Sequence, residues 1–364
     1  MSGDQPAGEQ TGPSGVPDVA AEGLSRSADE LERRLLGARR RLRRHDVSGQ
    51  AGVSLLNARQ FWRALGFPNV QAATEAFTES DVEALRSMVR LVRDGVLDEE
   101  TALGLTRAMG RQADRLANWQ LQLVAEALAE HGEDGPPERV AERVGQVLAE
   151  VVERTEPLLT YAWRRHLASA VARMVSDAEV GAGSAARPVR SVGFADLVDF
   201  TPVVRRSTER ELARLVQRFE AVTSDIVSAH GGRVVKTVGD EVLFVASSAT
   251  SAGGIALDIA EAMAGDPVLP DVRVGMATGP VVARLGDVFG TTVNRASRLT
   301  GLTLPGSVLV DETTAARLDA ASGFEVLPQE RRELRGIGPV TPALVRRSTR
   351  RPRVADDGAD SLPA

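Results

Sequence analysis

The chain contains no cysteine, and this absence excludes disulfides, thiolate metal sites and a cysteine nucleophile together. It fits a reducing compartment. A long apolar run is also missing: the longest uncharged stretch, Val242 to Leu257, is broken by serines, Thr250, Gly253 and Gly254 and has too few residues to span a bilayer. No membrane insertion is expected. The first residues, "MSGDQPAGEQTGPSGVPDVAAEG", are polar and acidic where a secretory signal is basic and then apolar, so residues 1–25 read as a disordered leader and the location as cytoplasmic. An excess of positive charge is lacking too. The net charge of -6 disfavours nonspecific nucleic-acid binding as a principal role.

What is present is a soluble globular composition, 43% hydrophobic and 26% charged over 364 residues, long enough for two cores. Over 26–180 apolar residues recur at helical spacing. Val82, Leu85, Met88, Val89 and Val92 form one stripe and Val140, Val144, Val147, Leu148 and Val151 another, so this half is expected to be an all-α domain. Thr78 with Asp81 reads as a capping box. In "ERRLLGARRRLRRHD" a seam of Leu31, Leu35, Ala38 and Leu42 leaves the arginines on a solvated helix face. Trp62, Trp119 and Trp163 read as core anchors. Residues 181–189 are small, flexible and Pro-broken, as a linker is.

Over 190–347 strands and helices alternate. "SVGFADL" is a strand, and Thr208 with Glu211 caps the helix that stops at Gly231 and Gly232. The hairpin "VVKTVGDEVLFVA" follows, and then two further helices and the strands "VRVGMATG" and "SVLVD". This is an α/β domain of ordinary size, and 348–364 reads as a disordered tail.

Several polar residues of this half resist a packing explanation. Asp196 ends the first strand and Asp240 sits at the hairpin tip; two carboxylates on adjacent strand ends suit Mg²⁺ or Mn²⁺, although loop acids are commonly just solvated. Asn294 and Arg298 lie four apart on one helix, with a guanidinium fork suited to phosphate and an amide suited to a sugar. The alternative is an exposed helix face, and Arg295 reads as that. Lys236 and Asp287 together would match the acceptor and donor of adenine. Their alternative is a surface ion pair.

"FADLVDFT", "KTVGDEVLF" and "GDVFGTTVNRASRL", in this order and spacing, resemble the catalytic domain of the class III nucleotidyl cyclases. The resemblance implies a ferredoxin-like βαββαβ fold, ATP as substrate and cyclic AMP as product. It implies that Asp196 and Asp240, helped by the Leu197 carbonyl, bind two Mg²⁺ or Mn²⁺ ions, and that Lys236 and Asp287 read adenine. Asn294 would orient the ribose and Arg298 would stabilise the transition state. Phe200 and Thr201 of the first motif, and Arg335 near the terminal phosphates, complete the substrate set. It further implies a homodimer, one copy supplying the acids and the other Asn294 and Arg298. "FWRALGFP" and the helices after it are similar to the all-helical regulatory domain of actinobacterial cyclases, mycobacterial ones included, which restrains catalysis and confers pH sensitivity. His166, in the helix feeding the linker, is the expected switch; an exposed histidine without that role is the alternative. Rival readings are a diguanylate-type cyclase, echoed by "VGDEVLF", a non-catalytic ATP-sensing module, and DNA binding by the helical half.

Overall fold

The computed structural model of the chain describes residues 29–132, 136–180, 188–284 and 286–348. The expected leader, and most of the expected linker and tail, lie outside them. The chain divides into two compact units, Met1–Val171 and Ala172–Ala364.

The first unit is helical: α1 (residues 29–36), then α2 (Arg44–Ala51), α3 (Leu55–Leu65), α4 (Glu79–Arg93), α5 (Glu99–Glu130) and most of α6 (Pro137–Val180). Its core gathers Val47, Phe61, Trp62, Phe77, Val82 and Leu85, with Met88 and Val89 packed alongside. The stripe of α4 is therefore its buried face. Asp81 accepts from Thr78 N at 2.7 Å, so the expected capping box opens α4. Two expectations need correcting. The arginine run is not one helix, because Gly37 turns left-handed at φ 71° and Leu42 instead pairs its backbone with Phe77; Leu35 is left exposed. Trp119 and Trp163 are more than half exposed. The buried residues of α5, Ala102, Thr106 and Gly110, all precede Trp119, and only Trp62 anchors a core.

The second unit is built on a seven-stranded sheet. Its strands are β1 (Val189–Leu197), β2 (Arg233–Val238), β3 (Glu241–Ala246), β4 (Val272–Pro280), β7 (Ser307–Val310), β8 (Phe324–Pro328) and β11 (Ala343–Arg347). They lie in the order β2-β3-β1-β4-β7-β11-β8. Helices α7 (Phe200–Arg206) and α8 (Glu209–Ala229) link β1 to β2, and α9 (Ala249–Gly265) links β3 to β4. The first four strands, joined through α8 and α9 and antiparallel at every pairing, make the ferredoxin-like βαββαβ arrangement. Beyond β4 the sheet turns mixed, since β7 runs parallel to it. Small two-stranded ribbons come from β5 (Val282–Arg284) with β6 (Asp287–Phe289), and from β9 (Arg332–Leu334) with β10 (Gly338–Val340).

Alternation along β1 sorts the two faces. Ala195 and Leu197 turn towards α8 and α9, where Phe219, Phe244, Ile255 and Ile259 are fully buried. Val192 and Phe194 turn the other way, sharing a cluster with Leu243, Ala277 and Ala296. Ala296 belongs to α10 (Thr291–Thr300), which covers that face; α11 (Glu312–Asp319) follows β7. Thr208 and Glu211 cap α8 reciprocally, as expected.

Candidate active site

Gly239 and Asp240 form the two-residue connection between β2 and β3. Gly239 takes φ 64°, which a tight hairpin loop asks of its first residue, and Asp240 is left at the tip. Returning along β1, β3 sets Glu241 opposite Asp196. Leu197 N donates to the Asp240 carbonyl oxygen at 3.1 Å. Sheet register thus brings the two predicted acids to neighbouring strand ends.

Arg273 was not among the predicted residues. It lies opposite Asp196 across the β1–β4 pairing, and its Nε donates to Asp196 Oδ2 at 2.7 Å. Nothing in local spacing marks it, because the pair is made by sheet register between residues far apart in sequence. The cluster remains short of positive charge. Burial pushes the Asp240 carboxyl above its ordinary range, the charge of Asp196 adds to this, and Arg273 opposes it. Glu241 is raised in the same way, by burial first and then by Asp196 and Asp240, with Arg273 and Lys236 opposing.

A cation fits this donor chemistry. The oxygens of two adjacent carboxylates and nearby strand-end carbonyls are hard ligands that leave positions open for phosphate, and a divalent ion would offset the burial and the neighbouring negative charge that raise Asp240 and Glu241. Among the described residues no group of three or more His, Asp or Glu side chains gathers as a self-sufficient metal cage.

Lys236 Nζ donates to Asp287 Oδ2 at 2.7 Å, so the two residues predicted to read a base do meet, as an ion pair. Burial pushes Asp287 up, but bonds from Lys236 and Val288 N, with the charges of Lys236 and Arg233, hold it below the ordinary carboxylate range. Lys236 is the chain's only lysine.

On α10 the buried positions are Thr292, Ala296, Leu299 and Thr300, so Asn294 and Arg298 lie together on the opposite, exposed face. Arg295 is not the solvated residue expected. Its guanidinium reaches back to Asp311, which is fully buried, at 3.1 Å. Phe200 is packed against the main core, and Thr201 is exposed in the first turn of α7. Just before them Asp199 is held at φ 54°, the single non-glycine residue with positive φ among those described; such strain gathers at working loops. Arg335 is exposed in the turn between β9 and β10, beside Leu334, which clusters with Leu299 of α10. His166 is exposed on α6, in the first unit.

The Adenylate and Guanylate cyclase catalytic domain family matches residues 186–345. An adenylate cyclase of Glutamicibacter nicotianae is 42% identical over 344 residues, covering 91% of this chain and 85% of that protein. This chain belongs to the class III adenylate/guanylate cyclases. Similarity to an adenylate cyclase of Streptomyces coelicolor is 41% over 368 residues, with 92% and 93% covered. A pH-sensitive adenylate cyclase of Mycobacterium tuberculosis is 30% identical over 317 residues, with 84% and 78% covered. These class III cyclases resemble the chain across both units, of which the second carries the catalytic domain. No helix among the described residues is long and apolar enough to cross a membrane.

Proposed function

We propose that this class III cyclase converts ATP to 3′,5′-cyclic AMP and pyrophosphate at a site shared by two copies of the chain, in the cytoplasm. The observation that carries the reading is that one hairpin brings Asp240 to Asp196 and also holds Lys236 on Asp287. The same element can therefore register a purine against the place where phosphates are handled. Adenylate cyclase is also the name of the relatives that align along nearly the whole chain.

The residues divide the work by their chemistry. Lys236 donates to adenine N1 and Asp287 accepts from its amine; guanine reverses both, leaving charges unpaired. Asn294 holds the ribose so that its 3′-hydroxyl lies in line with the α-phosphorus, which makes the displacement intramolecular. Arg298 faces the negative charge that grows on the α-phosphoryl oxygens. Thr201 and Arg335 touch the triphosphate, and Phe200 seats the first turn of α7, which carries Thr201, on the core. Asp196, Asp240 and the Leu197 carbonyl would hold two Mg²⁺ or Mn²⁺ ions, which when bound would neutralise the triphosphate and lower the pKa of the hydroxyl. No side chain need act as a dedicated base.

The homodimer is what the resemblance to class III cyclases implies, and the exposed face of α10 that carries Asn294 and Arg298 supports it, since a second copy carrying the acids could meet that face. The helical unit restrains the catalytic one, and protonation of His166 contributes the pH response.

The test is to assay the full chain and residues 185–364 with Mn²⁺ and either ATP or GTP, from mildly acidic to mildly alkaline pH. Cyclic AMP from ATP, little product from GTP, and higher activity of the shorter chain are expected. Equal use of GTP would remove the roles given to Lys236 and Asp287. Equal rates at every pH would remove the restraint, and a pH curve unchanged by His166→Ala would remove that histidine.

A further inference from the structure

A pocket of the first unit has no part in this chemistry. It is a cavity of about 170 Å³ whose walls include Arg40, Arg44, Arg59, Trp62, Phe67 and Phe77. The aromatic side is built: Trp62 stands 5.2 Å from Phe77 and 6.3 Å from Phe67, ring centre to ring centre. Trp62 and Phe77 are nearly buried, whereas Phe67 is 57% exposed at the mouth. An exposed phenylalanine beside a cavity is a wall without its occupant's area counted, since a ring placed there would cover it.

The polar side is cationic and incompletely matched. Arg40 is paired with Glu32. Arg44 and Arg59 have no ion-pair partner among the described residues, and the Arg44 Nε is buried with no hydrogen-bond partner there. A buried donor left unpaired costs free energy that a bound acceptor would recover. Asp81 also lines the cavity, but its Oδ2 is committed to Thr78 N and Oγ1. A buried unmatched donor of Arg44 and the exposed guanidinium of Arg59, beside a cluster of tilted rings, suit a flat ring bearing an anion, held by the fork geometry that arginine offers carboxylate and phosphate. Volume limits the size of the ring: a cavity of about 150 Å³ accepts benzene.

We propose that this pocket binds a small aromatic anion, a single ring carrying a carboxylate or phosphate, with its ring on Trp62 and its charge on Arg44 and Arg59. The ligand stiffens the junction of α2, α3 and the α4 cap, whose residues form the walls.

The test is calorimetric titration of the full chain with benzoate, with phenyl phosphate and with neutral benzyl alcohol. At least one anion should bind saturably, and more tightly than benzyl alcohol by about tenfold or more. Arg44→Gln and Arg59→Gln should each weaken it by about ten- to hundredfold, with circular dichroism showing that the helices remain. If one variant does not fold, the other carries the test. Equal affinity for benzyl alcohol and the anions would overturn the proposal, as would affinity indifferent to a folded variant, or no saturable binding of either anion.

Discussion

The role proposed for Lys236 is one that arginine, which supplies the other strongly basic side chains of the sequence, would fill poorly. A compact ammonium makes one point contact, whereas a guanidinium plane would crowd a ring nitrogen and bond elsewhere as well. Being the sole lysine, it can be followed without a substitution. Acylating the chain with an amine-reactive reagent should abolish turnover, and ATP with Mn²⁺ should protect the peptide holding Lys236 from labelling, as read by mass spectrometry; unprotected labelling would separate this residue from the base. Arg298→Ala should lower kcat by about a hundredfold or more with KM for ATP little changed, because the contact matters as charge develops. Collapse of KM with kcat kept would assign Arg298 to ground-state binding. Asp240 has a raised pKa, so the fold favours its neutral form: its contribution to stability is present below the unfolded-state pKa and is lost as pH rises through the raised value. Asp240→Asn should therefore melt higher than wild type at neutral pH without metal, with the gap closing towards acid pH, although the variant is inactive. A lower melting point at neutral pH would contradict that electrostatic account.

Among elements, α10 matters most, because its packing on the sheet orients Asn294 and Arg298. Gly275 of β4 makes that packing possible: a Cβ there would come within 2.1 Å of Thr300 N and 2.7 Å of the Ala296 carbonyl oxygen. Gly275→Ala should displace the helix, costing about 1–3 kcal/mol of unfolding free energy, measured by denaturant melts, and should lower activity by more than the stability loss alone accounts for. Elements were legible in the sequence where the signal was local. The boxes at Thr78 and Thr208, the glycine turn of the hairpin and the strand alternation each rest on residues a few positions apart. Pairings set by register were not legible. The contacts of Arg273 with Asp196 and of Arg295 with Asp311 join segments that only the sheet and its covering helix bring together. Trp119 and Trp163 mislead for a related reason: periodicity marks an apolar face of a helix without saying how far along that helix the core extends.

At the scale of the whole molecule, the predicted assembly has a quantitative signature. On the proposed reading, Asp240→Asn and Arg298→Ala would damage opposite halves of a shared site, so each variant alone should be nearly inactive. Mixed equally and allowed to exchange, they should recover roughly a quarter of the wild-type rate, since half the dimers are mixed and one of their two sites is intact. No recovery, with subunit exchange verified, would place the full set of residues within one copy. The bond from Arg273 to Asp196 has a further consequence for how such a protein matures. The acidic strand ends already hold an internal counterion when the chain folds, unlike a zinc finger, whose fold waits for its metal. The chain is therefore expected to fold without magnesium, and loading of the proposed site would be an exchange of Arg273 for a cation in a finished scaffold.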